Sequence, residues 1–261
     1  VGGGLTAWAL DLDGVIWRGP RTVPGAPEAV ERLRRSGARI AFVTNSAQRT
    51  PAQVAEKLAH HGIDDTEHLV ITAAMAAVTL VQPGERVLAV GSDGVFKALA
   101  DRGVETVVTG DADAVIMGLR PDFNYSHMTA AMKAVQGGAR FIATNDDSTF
   151  PDADGLLPGN GALVASVAVA SGVEPIVAGK PYSPMADLVR EFLGPDGIMV
   201  GDRADTDGRF ARRVGYRFAL VLSGVVGPDD LPVEPEPDLI ADDLSSMVDM
   251  VLSGVAGAGP N

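Results

Sequence analysis

The sequence predicts an α/β protein built on parallel sheet, with a second α/β module inserted into the first. Three observations carry this. Apolar, β-rich runs alternate with amphipathic helical patterns along most of the chain, and such alternation produces parallel sheets covered on both faces. Polar residues recur where the strands end: Asp11 and Asp13, Thr44-Asn45-Ser46, Lys180 and Asp202. The stretch from Pro83 to Val177 carries none of these groups yet has its own strand–helix alternation. The expected organisation is a core of residues 1–82 and 178–261 interrupted by an inserted domain at 83–177.

The elements follow in order. "TAWALDLDG" reads as a strand, and "APEAVERLRRSG" as an amphipathic helix closed by Gly37. "RIAFVTNS" is the second strand. "TPAQVAEKLAHHG" is a helix with Thr50 as N-cap, Pro51 in its first position and Gly62 at its end. Later strands are "RVLAVG", "DAVIMGL", "RFIATN", "GIMVGD" and "FALVLSG". "VGSDGVFKAL" lacks the spacing of a dinucleotide loop and reads as a strand-to-helix turn. "GNGA" begins a helix with Asn160 as candidate cap, Trp8 belongs to the core, and Trp17 packs beside the turn after the first strand. His60-His61 is expected at a helix end facing water. The acidic run Asp229 to Asp238 is expected as a solvated loop, and the tail "SGVAGAGPN" as mobile.

Composition narrows the function classes. With 261 residues, 46% of them hydrophobic, the chain has ample material for a core. A net charge of −13 leaves no basic face for nucleic acid or anionic membrane. A small anionic substrate stays compatible, because a metal or lysine reverses the field within one cleft. The absence of cysteine removes disulfides, thiolate zinc sites and cysteine nucleophiles together. The opening "VGGGLTAWAL" has no basic n-region or long h-region, and "GALVASVAVASG" is shorter than the ~20 residues that span a bilayer. A cytoplasmic protein is therefore expected.

Asp11 and Asp13, two apart after a strand, project from one face, and converging carboxylates call for a cation. Oxygen donors without histidine or cysteine nearby point to Mg²⁺. Asp202 is the third oxygen ligand expected, with Asp205 and Asp207 orienting metal-bound water from behind. Such a pair can divide roles, one carboxylate attacking phosphorus while its neighbour handles the proton. Thr44 and the backbone amides around Asn45 and Ser46 can hold phosphoryl oxygens, and Lys180 can neutralise the transferring group. Asn145 and Asp147, past a strand of the inserted module, could read a leaving group; an Asx turn is the competing account.

"DLDGVIWRG", "FVTNS", "AGKPYSP" and "VGDRADTD…ALVLSGV" resemble, in order and identity, the four motifs of the haloacid dehalogenase (HAD) superfamily. More narrowly the chain is similar to its NagD or p-nitrophenylphosphatase-like subfamily (class IIA, C2-type cap). "PDFNYSHM", "GARFIATNDDSTFP" and "LLPGNGALVASV" extend the likeness through the inserted module.

The resemblance implies a Rossmann-like HAD core with an inserted α/β C2-type cap. It implies a Mg²⁺-dependent phosphatase acting on small phosphorylated metabolites through an aspartyl-phosphate. In that reading Asp11 is the nucleophile and Asp13 the general acid/base. Mg²⁺ is held by Asp11, the backbone carbonyl of Asp13, and Asp202. Thr44 and Lys180 bind phosphate, and Asp207 acts through water. It also suggests a homodimer. Subfamily members usually carry asparagine where this chain has Ser46, and Gly208 and Ala211 depart from the usual helix after Asp207. Phosphotransfer through the same intermediate, or a non-catalytic binding protein on the same fold, are the alternatives to a hydrolase.

Overall fold

The computed structural model describes residues 7–152 and 155–254. The opening "VGGG" and the tail from residue 255 onward therefore lie outside the described residues. From the N-terminus the elements are β1 (Ala7–Leu10), β2 (Trp17–Arg18), β3 (Arg21–Thr22), α1 (Ala26–Arg35), β4 (Arg39–Thr44), α2 (Pro51–His60), β5 (Val70–Thr72) and α3 (Ala73–Val78). Next come β6 (Arg86–Val90), α4 (Asp93–Arg102), β7 (Glu105–Val107), β8 (Ala114–Met117), α5 (Tyr125–Gln136), β9 (Arg140–Ala143), β10 (Thr149–Asp152), β11 (Gly155–Pro158), α6 (Asn160–Ser171) and β12 (Ile176–Val177). The chain closes with α7 (Ser183–Leu193), β13 (Gly197–Gly201), α8 (Arg209–Val214), β14 (Arg217–Val221), β15 (Leu239–Ala241) and α9 (Leu244–Leu252).

The first large sheet runs β15-β14-β13-β1-β4-β5. β1 pairs in parallel with β13 on one side and β4 on the other, so that Leu10 stands level with both Val200 and Phe42. From β1 the chain order proceeds outward in opposite directions on the two sides. That makes the carboxyl end of β1 a topological switch point, where loops diverge and leave a crevice. All four residues of β1 are buried. Trp8, Phe42, Phe210 and Phe218 are among the largest fully enclosed side chains, each worth about 1.5–3 kcal/mol of burial.

A second parallel sheet, β12-β9-β8-β6-β7, is formed wholly by strands between Arg86 and Val177. α5 and α6 lie against each other, and Val115, Met117, Phe141, Val135, Val164 and Val167 belong to one buried cluster. By proximity the chain forms two compact units, Val1–Val43, Ala55–Val70 and Ala186–Asn261 in one, Thr44–Val54 and Ile71–Met185 in the other. The second unit thus takes in more than residues 83–177. Among the described residues no helix is long and apolar enough to cross a membrane.

α2 starts as its sequence dictates. Thr50 Oγ1 accepts from the Gln53 N–H while Gln53 Oε1 accepts from the Thr50 N–H, a reciprocal capping box. Two expectations need correcting. His60 is exposed, but His61 is only 5% exposed, because the chain turns inward after α2 and lays that ring on Trp17. Asn160 does not cap α6. It stands inside the helix start, with Gly159 as N-cap, and its side-chain amide donates inward to the carbonyls of Met117 and Asn145. The acidic loop is solvated as expected, with no buried residue from Asp229 to Asp238, and Asp238 anchors it by accepting from the Phe218 N–H (2.7 Å) and Arg212 Nη1 (2.6 Å).

Candidate active site

Three acids gather beyond the ends of β1 and β13. Asp11 continues the sheet ladder, its N–H donating to the Val200 carbonyl at 2.9 Å. Asp202 follows Gly201 at the end of β13, and Asp207 is carried on a single π-helical turn, Ala204–Gly208. Such turns are rare and concentrate at functional positions. Carboxylate oxygens of Asp11, Asp202 and Asp207 all lie within 4.8 Å of one another.

The backbone is cut to fit these acids. Gly14, with φ +81°, and Gly224 press so closely on the Asp202 carboxyl that a Cβ on either would collide with it. The Val225 N–H donates to Asp202 Oδ2 at 2.7 Å, and Ser223 Oγ donates to the Gly14 carbonyl at 2.6 Å, fastening the two loops. Gly201 is bare for the same reason, since a Cβ there would overlap Asp207. Asp202 and Asp207 are almost fully buried and Asp11 partly so. Charges at this spacing repel by roughly 3–4 kcal/mol per pair at an effective dielectric of ~20. A divalent cation reverses the sign of that term. All-oxygen, carboxylate-rich donors match the hard cation Mg²⁺, so the residues present fit the metal expected from the sequence.

Asp13 leaves the same strand end but meets other surroundings. It is exposed, and its Oδ1 accepts from Trp17 Nε1 at 2.8 Å. The intervening turn is tied by Ile16 N–H to Leu12 O (2.8 Å) and Gly14 N–H to Trp17 O (2.7 Å). Asp205 and Asp207, paired in the sequence reading, part company. Asp205 points to the Arg203 guanidinium at 2.9 and 3.2 Å, and those hydrogen bonds hold its carboxyl below the usual carboxylate range. Asp207 joins the acid cluster, where its Oδ2 accepts from the Arg203 N–H at 3.3 Å.

The remaining expected residues belong to the second compact unit. Thr44 ends β4 and is buried; its Oγ1 accepts from the Ser46 N–H at 3.1 Å. The Asn45 side chain is a splint for Lys180, accepting from the Lys180 N–H at 2.7 Å and donating to the Lys180 carbonyl at 3.1 Å. Asn45 Nδ2 also reaches Asp147 Oδ2 at 3.3 Å. Asn145 is buried and donates to the Asn45 carbonyl at 2.8 Å, while its Oδ1 accepts from the Asp147 N–H. The Asx turn is therefore present, and Asn145 is a brace within this network. Asn160 donates to the Asn145 carbonyl at 2.8 Å and to Thr144 Oγ1 at 3.3 Å, closing the chain of bonds. Sequence reasoning missed Asn160 here because "GNGA" looks like an ordinary helix start.

A family profile described as haloacid dehalogenase-like hydrolase matches residues 8–105, and a second, HAD-hydrolase-like, matches 177–247. The 5'-nucleotidase YutF of Bacillus subtilis is 36% identical over 84% of this chain and 87% of its own. The chain belongs to the haloacid dehalogenase-like hydrolase family. A glycerol phosphate phosphatase of Mycobacterium tuberculosis, solved in complex with magnesium, is 35% identical with a TM-score of 0.87, over 93% of this chain and 76% of its own. A p-nitrophenyl phosphatase of Archaeoglobus fulgidus is 30% identical with a TM-score of 0.87, over 94% of this chain and 98% of its own.

In this HAD hydrolase the unusual helix after Asp207 is well accommodated. Phe210, Ala211 and Val214 of α8 are buried. Gly208 is bare where Phe218 and Pro235 close in, each 2.9 Å from where a Cβ would stand. Arg212 of the same helix pairs with Asp238, and its Nη2 donates to the Glu236 carbonyl at 2.5 Å.

Proposed function

We propose that this HAD hydrolase, a phosphomonoesterase, is a Mg²⁺-dependent phosphatase that hydrolyses small phosphate monoesters through an aspartyl-phosphate on Asp11. The observation that carries the reading is the convergence of Asp11, Asp202 and Asp207 at the switch point of the first sheet. Phosphatase names among the relatives support it.

Bound Mg²⁺ would be held by Asp11, Asp202 and the Asp13 backbone carbonyl, with Asp207 acting on it through water, and would supply positive charge that offsets the carboxylates and the phosphoryl oxygens. An Asp11 carboxylate oxygen attacks phosphorus, and the bond from phosphorus to the ester oxygen breaks. Asp13 gives its proton to that departing oxygen. The same Asp13, now ionised, takes a proton from the water that attacks the acyl phosphate. Inorganic phosphate leaves, Asp11 is restored and Asp13 is protonated again. Thr44, the backbone amides of Asn45 and Ser46, and Lys180 bind the phosphoryl oxygens in this scheme, with Asn45 and Asn145 fixing where Lys180 begins. The inserted module sets substrate choice, and the low aromatic content of 5% favours small aliphatic esters over bases that need stacking.

The test is phosphate release from p-nitrophenyl phosphate and a panel of metabolite phosphates, with Mg²⁺ and with EDTA. Activity is expected only with Mg²⁺, to vanish in Asp11→Asn, and to fall by ~10²–10⁴-fold in Asp13→Asn for esters that need a proton on departure. Full activity in EDTA, or a working Asp11→Asn enzyme, contradicts the reading.

A further inference from the structure

We propose that Trp17 is a positioning residue for Asp13, and that His61, Thr22 and Lys57 are the mount that fixes its indole. The inference rests on the acid/base role given to Asp13 above, and assigns the residue that orients its carboxyl group.

The geometry starts from the two-residue ribbon β2–β3, in which Trp17 and Thr22 stand opposite each other. His61 spans the pair. Its ring stacks on the indole, with centroids 5.0 Å apart and planes 25° apart, and its Nδ1 shares a 2.8 Å hydrogen bond with Thr22 Oγ1. Lys57, one helical turn before His61, sets its ammonium 3.9 Å from the centre of the indole, within cation–π range. Burial foremost, then the charge of Lys57 and His60, lowers the His61 pKa, so the ring meets Lys57 as a neutral partner near neutrality. Trp17 is 2% exposed. A buried indole needs an acceptor for its N–H, and a main-chain carbonyl would serve as well for stability. The acceptor here is Oδ1 of Asp13, with the N–H 2.8 Å away.

That bond has a chemical consequence. The indole engages Oδ1 and leaves Oδ2 as the carboxyl oxygen that can be turned toward a substrate. Asp13 itself is exposed, and an exposed side chain without such a tether samples several rotamers. Trp17 therefore selects both the rotamer and the oxygen that faces the leaving group.

Trp17→Phe removes the N–H and keeps an aromatic ring for His61 and Lys57. The experiment compares kcat/KM for p-nitrophenyl phosphate, whose leaving group departs unaided, with that for phenyl phosphate, whose leaving group benefits from a proton. In Trp17→Phe the phenyl phosphate value is expected to fall roughly ten-fold further than the p-nitrophenyl value, a part of the ~10²–10⁴-fold that a placed acid supplies. In an Asp13→Asn background the same change should add nothing. Benzothienylalanine at position 17, which exchanges N–H for sulfur at similar shape, should give the same selective loss and covers a phenylalanine variant that fails to fold. An equal loss on both esters, no loss, or a full effect without Asp13 overturns the proposal while leaving the phosphatase reading intact. A wild-type enzyme that releases phosphate from neither ester overturns both.

Discussion

Asp11 and Asp13 leave the same strand two residues apart, yet one enters a cluster of carboxylates and the other is tethered to an indole. The sequence made both visible, because acids at the carboxyl end of an apolar strand are costly unless used. Asp202 was visible for the same reason. The separate fates of Asp205 and Asp207 were not visible in the residues alone, since a single π-helical turn decides which side chain faces inward; only the family resemblance set Asp207 apart. His61 was hidden too: a histidine just past a helix end reads as solvated, and its burial depends on Trp17 and Thr22, roughly forty residues earlier in the chain. It carries a prediction. Its folded-state pKa is depressed, so the unfolded chain takes up a proton first as the pH falls. His61 therefore contributes stability that is fully present above its ordinary value of about 6.5 and is lost as the pH falls toward the depressed one. Thermal midpoints of wild type and His61→Phe, followed from about pH 8 to pH 5, should converge on acidification. A constant gap would contradict the role given to His61.

At the scale of elements, long periodic segments were legible and short ones were not. β1, β4, β6, β8, β9, β13 and β14 each match an apolar run in the sequence, and the Thr50-Pro51 signal starts α2. β2–β3 holds two residues per strand, too few for any period to register, whereas the equally short β12 showed as the strand end before Lys180. The antiparallel β10–β11 pair was missed because its residues carry no alternating pattern. α8 looked anomalous in sequence, and the structure explains it through contact. Gly208 lies under Phe218 and Pro235, so Gly208→Ala should overfill that space and destabilise the protein by about 1–3 kcal/mol. Urea denaturation measures this. A variant as stable as wild type would show that the neighbours give way freely.

For the whole molecule, parallel sheet with inserted α/β structure was readable from alternation alone, and the family from four motifs in order. The limits of the compact units were not, because Thr44–Val54 and Ile71–Met185 join one unit through contacts distant in sequence. The acid cluster sits where two sides of the first sheet diverge, so fold and chemistry meet at one strand end. The central claim is that Asp11 becomes covalently phosphorylated there. The direct measurement is to quench the Mg²⁺-loaded enzyme during turnover of p-nitrophenyl phosphate, reduce with borohydride and map the peptides by mass. The expected result is acyl-phosphate reduction at residue 11 and at no other carboxylate. Rapid turnover with Asp11 unmodified, or reduction at a different acid, would contradict the account.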